Sequence, residues 1–399
     1  MSKYLFVVPP FFGHISPTLS VGAGLLAEGH EVAWVGLREL ADRYIPAGGR
    51  WIVPHRALEG HAEEIGRILK RQDDGPSLSG PETLKLALEE TYLPICRLLM
   101  KGLPEIVDAF GPDVIVSDCI SFAGGICAFL KGIPYATTTP VPPNVLEGSL
   151  PLPKVQAWQQ ELIFGLQSAF GIHTDRAVIH SDRLNLVFTS REFAGWENPP
   201  PYMRFVGPVS GRPEETAFEW DRLERMGRPG IFISLGTLLV DVRRAFFDKM
   251  VEAFGQRRLT IVAATDPGIR EDWPDNFIVQ AYVPQAKVME KMDVAICHGG
   301  FNTIHDAILH RLPILITPIA YDHFHTASLI ERSGCGISIR YKRLRAEAVG
   351  QAVEELLEND RYAESVETIR NSFLRAGGRD RAVEYLLEMT PAPAMRAIL

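Results

Sequence analysis

The stretch YLFVVPPFFGHISPTLSVGAGLLAEGHEVAWVG (residues 4–36) lies near the start of the sequence. It has no charged side chain between Tyr4 and Ala27, which makes a signal peptide or a membrane span one interpretation. The prolines and glycine of residues 9–17 would break a lipid-facing helix and leave backbone groups unpaired. We therefore predict a strand (Tyr4–Val8), a loop (Pro9–Pro17), a helix (Thr18–Glu28) and a second strand from Glu31. This is a βαβ unit, and burial of its first strand on both faces explains the missing charges.

The alternation of strands and helices continues along the rest of the chain. Further strands are predicted at Asp113–Ser117, Tyr135–Thr138, Asn185–Thr189 and Arg204–Val206, and a second series starts at Ile231–Leu235. A stretch rich in glycine, proline and charge separates the two series and predicts a linker over residues 211–228. The fold class is α/β, with two Rossmann-like, doubly wound parallel sheets facing each other across a cleft. The two domains are predicted at residues 1–210 and 229–375.

Composition excludes several classes of protein. The 399 residues are 46% hydrophobic and 23% charged, which is typical of a globular chain and not of a disordered one. The net charge is −8 and no basic block occurs, so we expect no nucleic-acid partner. The five cysteines are scattered, which excludes a disulfide framework or a zinc cluster and predicts buried thiols in a reducing compartment. We expect a cytoplasmic protein with no transmembrane segment.

A Gly-rich turn in the second half predicts a phosphate site. The run His298-Gly299-Gly300-Phe301-Asn302-Thr303 lies between a predicted strand and a predicted helix. Such a turn presents backbone N–H groups and the positive end of a helix dipole to a diphosphate. Gly300 allows close backbone approach, Asn302 and Thr303 add side-chain donors, and His298 adds a donor or a positive charge. The alternative is a capped helix after a tight turn, because a diglycine turn is weak evidence by itself.

Neighbouring residues extend this site to a nucleotide-sugar. Asp306 lies one helical turn beyond Asn302 and is placed to accept from a ribose diol. Other polar or aromatic groups follow strands of the same half, where ligands of parallel sheets bind. Thr237 follows the strand predicted at Ile231–Leu235. Tyr282, Val283 and Gln285 follow the strand predicted at Phe277–Gln280, and Asp322 and His323 follow the strand predicted at Ile314–Thr317.

The ordered motifs YVPQ (282–285), HGGFNTIHD (298–306) and PIAYDH (318–323), with PPFFGHISP (9–17), resemble a known family. This is the family of inverting UDP-dependent glycosyltransferases that glucosylate natural products such as macrolides and flavonoids, with the GT-B fold. The resemblance implies an acceptor-binding first domain, a UDP-sugar-binding second domain and a terminal helix (376–399) that packs back on the first. No carboxylate cluster in the sequence suggests a metal, so we expect helix N-termini and His298 to neutralise the leaving UDP, and we expect no permanent cofactor.

The resemblance implies the following roles. Tyr282 stacks on uracil and Gln285 lies beside the nucleoside. His298, Asn302, Thr303 and Thr237 hold the diphosphate, Asp322 and His323 meet the sugar hydroxyls, and His14 is the catalytic base oriented by Asp118. Two residues depart from the family pattern, because Asp306 replaces the commoner Glu and His323 the commoner Gln. UDP-glucose is the expected donor, with UDP-galactose or another UDP-sugar as the alternative.

The chemistry of His14 agrees with this role. A base that removes a hydroxyl proton near neutral pH is best supplied by histidine, whose reference pKa is ~6.5. His14 follows the first predicted strand and Asp118 follows another, so both side chains reach one sheet edge. The other interpretation of His14 is a hydrogen-bonding surface residue, and that of Asp118 is an N-cap of the helix that follows it. His323 and His325 lie two residues apart on a helix, so they face different sides and we predict no metal there. Phe11 and Phe12 either line an acceptor pocket or pack beneath the loop.

Two other functions compete with sugar transfer. One is a UDP-sugar 2-epimerase-like isomerase on the same fold, which would have no acceptor pocket. The other is a non-catalytic UDP-sugar-binding partner of another transferase, which would usually lack the base. Apolar residues predicted in loops (Leu146, Leu150, Trp158, Phe164) favour a flat, apolar acceptor. Transient membrane contact to collect such an acceptor is an open alternative. We expect a monomer or a weak dimer.

Overall fold

The computed structural model of the chain describes residues 1–71, 80–143, 153–210, 216–236, 240–320 and 322–390. Within these ranges the first half contains one sheet of seven parallel strands in the order β3-β2-β1-β4-β5-β6-β7. The strands are β1 (Lys3–Val7), β2 (Glu31–Val35), β3 (Arg50–Ile52), β4 (Val114–Asp118), β5 (Tyr135–Thr139), β6 (Asn185–Val187) and β7 (Met203–Phe205). Its helices are α1 (Phe12–Ala27), α2 (Ala62–Arg71), α3 (Gly80–Ala87), α4 (Leu93–Met100), α5 (Leu103–Phe110), α6 (Ala123–Lys131), α7 (Pro153–Ala169) and α8 (Arg191–Ala194).

The second half contains a parallel sheet of six strands in the order β10-β9-β8-β11-β12-β13, counted over the same described ranges. The strands are β8 (Gly230–Ser234), β9 (Thr260–Ala264), β10 (Phe277–Gln280), β11 (Val294–Cys297), β12 (Ile314–Ile316) and β13 (Gly336–Ser338). The helices are α9 (Trp220–Met226), α10 (Val240–Phe254), α11 (Gln285–Met289), α12 (Phe301–Leu309), α13 (His323–Ser333), α14 (Ala346–Glu358), α15 (Asp360–Ala376) and α16 (Gly378–Glu388). The predicted pair of doubly wound parallel sheets is confirmed.

Each sheet is covered on both faces, because its strands send alternate apolar side chains to opposite sides. In β1, Leu5 and Val7 join one core of the first half, and Tyr4 and Phe6 join the other. The second core also contains residues of α1 and of the last helix, α16. The Tyr4 hydroxyl donates to the carbonyl of Leu386 at 3.4 Å, so α16 lies against the first half of the chain.

The two halves also meet near α8. The Nε2 atom of His305 lies 3.2 Å from the Thr189 hydroxyl oxygen, and the Ser190 and Ser372 hydroxyl oxygens are 2.7 Å apart. The His305 ring is surrounded by Phe193, Phe301 and Phe373, with ring centroids 4.2–6.1 Å away. These contacts fix how the carboxyl edges of the two sheets face each other.

Helix α1 begins earlier than the sequence suggested. The predicted loop over residues 9–17 ends at Phe11, and Pro17 lies inside the helix. A proline at this position removes the bond that its N–H would give to the Gly13 carbonyl. That carbonyl instead accepts a hydrogen bond from Asn302 of the second half, at 3.0 Å. The helix therefore tolerates Pro17, and His14 lies in its first turn.

Two other predictions differ from the structure, and a third concerns residues that the structure does not describe. Trp158 and Phe164 lie in α7 and not in a loop, because residues 153–169 form a helix. Residues 220–226 of the predicted linker form α9, whose Leu223 is buried in a core of the second half. Leu146 and Leu150 lie outside the described residues. The five cysteines are buried and unpaired, as expected. In the described part of the chain no helix has the length and apolarity needed to cross a membrane.

Candidate active site

The first part of the site is a hydrogen-bonded pair at the centre of the seven-stranded sheet. β1 and β4 are parallel neighbours there, with Val7 opposite Ser117, although 104 residues separate His14 from Asp118. The order of the strands reverses between β1 and β4, which is where open parallel sheets bind ligands. His14 Nδ1 lies 3.0 Å from both carboxylate oxygens of Asp118. Asp118 is completely buried, and the His14 side chain keeps 15% of its surface exposed.

This geometry fixes the protonation pattern of His14. A carboxylate at Nδ1 holds the proton on that nitrogen, which leaves the Nε2 lone pair available as a base. Asp118 also accepts the backbone N–H of Ile120 at 3.0 Å, whereas the N-cap position of the helix that follows is Phe122. The carboxylate is thus held on two sides and does not act as the N-cap of α6.

The electrostatics of the pair involve both halves of the chain. Burial by itself lowers the pKa of His14, but the charge and hydrogen bond of Asp118 and the charge of Asp322 raise it above the usual value. Burial also raises the pKa of Asp322 to about 6, against the opposing effects of its own backbone N–H and of His14. Asp322 is the residue before α13 in the second half, and its charge is near enough to act on the base in the first half.

A third polar group adjoins the pair. The ligand-type atoms of His14, Asp118 and Cys119 lie within 4.8 Å of one another. Burial and the neighbouring Asp118 raise the pKa of the Cys119 thiol well above its ordinary value, so the sulfur keeps its proton. His14 Nδ1 is already bound to the carboxylate. These groups therefore fit a hydrogen-bonded base better than a thiolate metal site, for which we see no other candidate in the described residues.

The second part of the site lies at the corresponding point of the six-stranded sheet. The strand order reverses between β8 and β11, and the Gly-rich turn follows β11. The His298 ring lies between two glycines: a Cβ on Gly236 would be 2.9 Å from its Cε1 atom, and a Cβ on Gly300 2.8 Å. Gly300 precedes α12 without a side-chain cap, so the first N–H groups of that helix remain available to a ligand.

His298 of this turn and His323 at the start of α13 are both neutral. Burial lowers the pKa of His298 to about 4, with a further lowering from the charge of Arg243, against a backbone hydrogen bond at Ser234. Burial and His298 lower the pKa of His323 well below its usual value. Their rings meet edge to face, with centroids 4.6 Å apart, and His323 Nδ1 accepts the Ala320 N–H at 3.2 Å. His298 is thus a neutral donor and not a positive charge, and its buried Nδ1 has no protein partner among the described residues.

Gln285 and Asp306, which the sequence placed at the nucleoside, are brought together. The Gln285 amide donates to the Asp306 carboxylate from the start of α11, and Asp306 is 7% exposed on α12. Tyr282 is 73% exposed, as a stacking platform must be, and Val283 packs beside a core of the second half. The bond between Gln285 and Asp306 thus brings the segment after β10 to the helix that follows the Gly-rich turn.

Asn302 and Thr303 occupy the first turn of α12. Thr303 is buried, and the Asn302 amide donates to the Gly13 carbonyl next to His14. Asn302 therefore connects the helix that carries the base with the turn that is predicted to hold the diphosphate. Thr237 lies outside the described residues.

The sequence missed three contributors to this site. His180 lies next to the pair, with Nε2 2.7 Å from the Cys119 carbonyl, and Arg243 donates to the Gly236 carbonyl at 3.0 Å. The third is the contact between Asn302 and Gly13. Only Arg243 had a sequence signal, as a basic residue in the helix that follows the first strand of the second half.

Known proteins resemble the chain over its whole length. Residues 248–389 match the family described as erythromycin biosynthesis protein CIII-like, C-terminal domain. The chain is 26% identical over 400 residues to the NDP-glycosyltransferase YjiC of Bacillus subtilis (strain 168), which covers 96% of this chain and 97% of that protein. It is 27% identical over 409 residues to the uncharacterized UDP-glucosyltransferase YdhE of the same strain, with 98% of each chain covered.

Solved structures share the fold. The glycotransferase of kitacinnamycin superposes with a TM-score of 0.76 at 21% identity, over 98% of this chain and 99% of that one. The glycosyltransferase VinC in complex with DTDP superposes with a TM-score of 0.70 at 17% identity, over 97% and 99% of the two chains. The chain thus has the GT-B fold, and the two relatives that cover nearly its whole length are named glycosyltransferases.

Proposed function

We propose that the protein is an inverting glycosyltransferase that moves glucose from UDP-glucose to a hydroxyl of a small apolar acceptor. The observation that carries this proposal is the His14–Asp118 pair, a buried carboxylate bound to the imidazole at 3.0 Å, with the charge of Asp322 acting on it from the second half. A base in this state suits removal of a hydroxyl proton near neutral pH. A non-catalytic binding partner would have no use for a base, and an isomerase would have no use for an acceptor pocket.

The reaction follows from the free nitrogen of His14. Nε2 takes the acceptor hydroxyl proton while the oxygen attacks the anomeric carbon from the side opposite the diphosphate. The new C–O bond forms as the bond to the diphosphate oxygen breaks, so an α-linked donor gives a β-linked product. Asp118 keeps its charge and stabilises the imidazolium that forms.

The donor is held by the second half of the chain. The N–H groups at the start of α12, the side chains of Asn302 and Thr303, and Thr237 bind the diphosphate, and His298 contributes as a neutral donor. Asp322 and His323 hold the sugar. Tyr282 stacks on the base, while Val283 and Gln285 line the nucleoside beside Asp306. The shorter Asp306 is tied to Gln285, so a ribose hydroxyl would share that carboxylate with the amide.

UDP is proposed as the nucleotide because of the motifs of the chain and because one relative is named a UDP-glucosyltransferase. One structural neighbour was solved with DTDP, so the test must include both nucleotides.

The acceptor site is proposed beside the pair in the first half. The Phe11 ring meets His14 with centroids 6.2 Å apart, and Tyr92, Phe122 and His180 form a row of edge-to-face contacts at 6.1 and 6.2 Å. Aromatic walls of this kind favour a flat, apolar aglycone with one reactive hydroxyl.

The test is to incubate the protein with UDP-glucose or dTDP-glucose and a panel of phenolic and alcoholic aglycones. Mass spectrometry detects hexosylated products, and NMR of the anomeric proton gives the linkage. We expect a β-glucoside from UDP-glucose, with turnover reduced about 10²–10⁴-fold in His14→Ala. An α-glucoside would refute inversion, and wild-type turnover in His14→Ala would refute the base. A preference for dTDP-glucose would show that the donor carries dTDP and not UDP. Failure to bind either nucleotide would refute the proposed function.

A further inference from the structure

The histidines of the proposed donor site supply no positive charge for the diphosphate. When the sugar leaves, negative charge grows on the diphosphate, and enzymes offset it with cations, metals or oriented dipoles. His298 and His323 are buried and neutral, and the start of α12 supplies only partial charges. A group with a full positive charge would add to the stabilisation that these partial charges give.

We propose that Arg243 binds the diphosphate of the donor and neutralises the leaving group. This inference rests on the proposed function, since it concerns the same site. Arg243 lies in α10, the helix that follows β8, at the reversal point of the six-stranded sheet. Its Nη2 atom donates to the Gly236 carbonyl at 3.0 Å, which ties the guanidinium to the turn that touches the His298 ring.

The position of Gly236 explains why this charge reaches the phosphate pocket. Gly236 has φ of 69°, a conformation that favours glycine, and a side chain there would collide with His298. Gly236 and Gly300 thus flank the same imidazole, one from each turn at the reversal point. A diphosphate that approaches Gly300 and the first N–H groups of α12 therefore lies near the group that Gly236 anchors.

The charge of Arg243 acts on this pocket in the free protein. It is one of the causes that lower the pKa of His298, together with the larger effect of burial. The side chain is half-buried, so solvent screens it less than a surface arginine. A guanidinium also presents several N–H donors in a planar fork, a geometry that matches phosphate oxygens.

Another arginine near the site has a different task. Arg332, near the end of α13, influences His325, but its Nη2 atom donates to the Ala194 carbonyl at 3.0 Å. It therefore joins the two halves at α8. Arg243 is the better candidate for the diphosphate because its anchor belongs to the phosphate turn itself.

The test compares ligands that differ only in phosphate. Isothermal titration calorimetry measures the affinity of the full chain for UDP, UMP and uridine, with dTDP as a second diphosphate. The variants are Arg243→Gln, Arg243→Lys and, as a matched control, Arg244→Gln, which changes the exposed arginine next in α10. We expect Arg243→Gln to weaken UDP binding by about 10–100-fold, as for loss of a charged hydrogen bond, and to leave uridine binding unchanged. Arg243→Lys should recover part of the loss, and Arg244→Gln should match the wild type.

The outcomes separate this inference from the proposed function. Equal UDP affinity in Arg243→Gln and Arg244→Gln would overturn it while nucleotide binding stands. An equal loss for UDP and uridine would also overturn it, because Arg243 would then only shape the Gly236 turn. A wild-type protein that binds neither UDP nor dTDP would refute the proposed function, and the inference with it.

Discussion

Asp118 sets both the orientation and the proton affinity of His14. The carboxylate is completely buried and lies 3.0 Å from Nδ1, so an amide in its place keeps the shape but changes the hydrogen bond. Asp118→Asn allows the amide to donate to Nδ1, which moves the imidazole proton to Nε2 and removes the base. We expect kcat to fall by about 10²–10⁴-fold, with the fold unchanged by circular dichroism.

Asp113→Asn is a suitable control for this variant. Asp113 precedes the same strand at its opposite end and accepts the Lys3 backbone N–H at 2.9 Å, far from the cleft. Its kcat should equal that of the wild type. Wild-type turnover in Asp118→Asn would refute the role of the carboxylate.

The pH dependence of the reaction tests the same pair. The base works only when unprotonated, and the pKa of His14 is raised, because the effects of Asp118 and Asp322 outweigh burial. kcat/KM should therefore rise with pH, with a midpoint above ~6.5. In Asp118→Asn the residual activity should have a lower midpoint, since burial then dominates. A profile measured from about pH 5 to pH 9 that is flat in the wild type would contradict a histidine base.

At the scale of one element, Pro17 explains why helix α1 of the first half is hydrogen-bonded to Asn302 of the second half. It leaves the Gly13 carbonyl without its intrahelical donor, and the Asn302 amide occupies that carbonyl. Pro17→Ala restores the donor. We expect a higher free energy of unfolding, by up to about 3 kcal/mol, because proline is that much less favourable than alanine inside a helix. We also expect kcat to fall about fivefold, because the contact with Asn302, worth about 1 kcal/mol, weakens.

Urea unfolding and steady-state kinetics measure these two effects. Pro104→Ala is the control, because Pro104 is the second residue of α5, where a backbone N–H has no intrahelical acceptor to lose. In an Asn302→Ala background, Pro17→Ala should no longer change kcat, since the two substitutions remove the same contact. Additive losses in kcat would show that Pro17 acts elsewhere.

The same elements show what the sequence predicts and what it does not. The β4 segment Val-Ile-Val-Ser-Asp is apolar up to its last residues, so pattern alone placed Asp118 at a sheet edge. The Gly-rich turn after β11 was predicted for the same reason. The start of α1 was wrong because proline usually ends a helix, and here a residue 285 positions further along the chain (Asn302) compensates for it. Arg243 was missed because its meaning depends on how two turns of the sheet approach each other.

At the scale of the whole molecule, buried neutral histidines make the joined halves sensitive to acid. His305 lies between the halves, beside Thr189 and three phenylalanines, and burial lowers its pKa to about 3. In the unfolded chain its pKa is ~6.5, so below that pH the unfolded state binds more protons. The stability that neutral His305 contributes is complete above pH ~6.5 and is lost as pH falls. The loss is about 1.4 kcal/mol per pH unit, or about 2 kcal/mol at pH 5.

His305→Gln tests this account, because glutamine does not titrate and can still bond the Thr189 hydroxyl. Urea unfolding at about pH 7.5 and pH 5 gives the change in the free energy of unfolding for each protein. The variant should be less stable at the higher pH, where it lacks the ring, but should lose about 2 kcal/mol less than the wild type on acidification. His55→Gln, at a side chain that is 71% exposed, should lose as much as the wild type. If His305→Gln and the wild type lose the same free energy, protonation of His305 does not govern the acid stability of the joined halves.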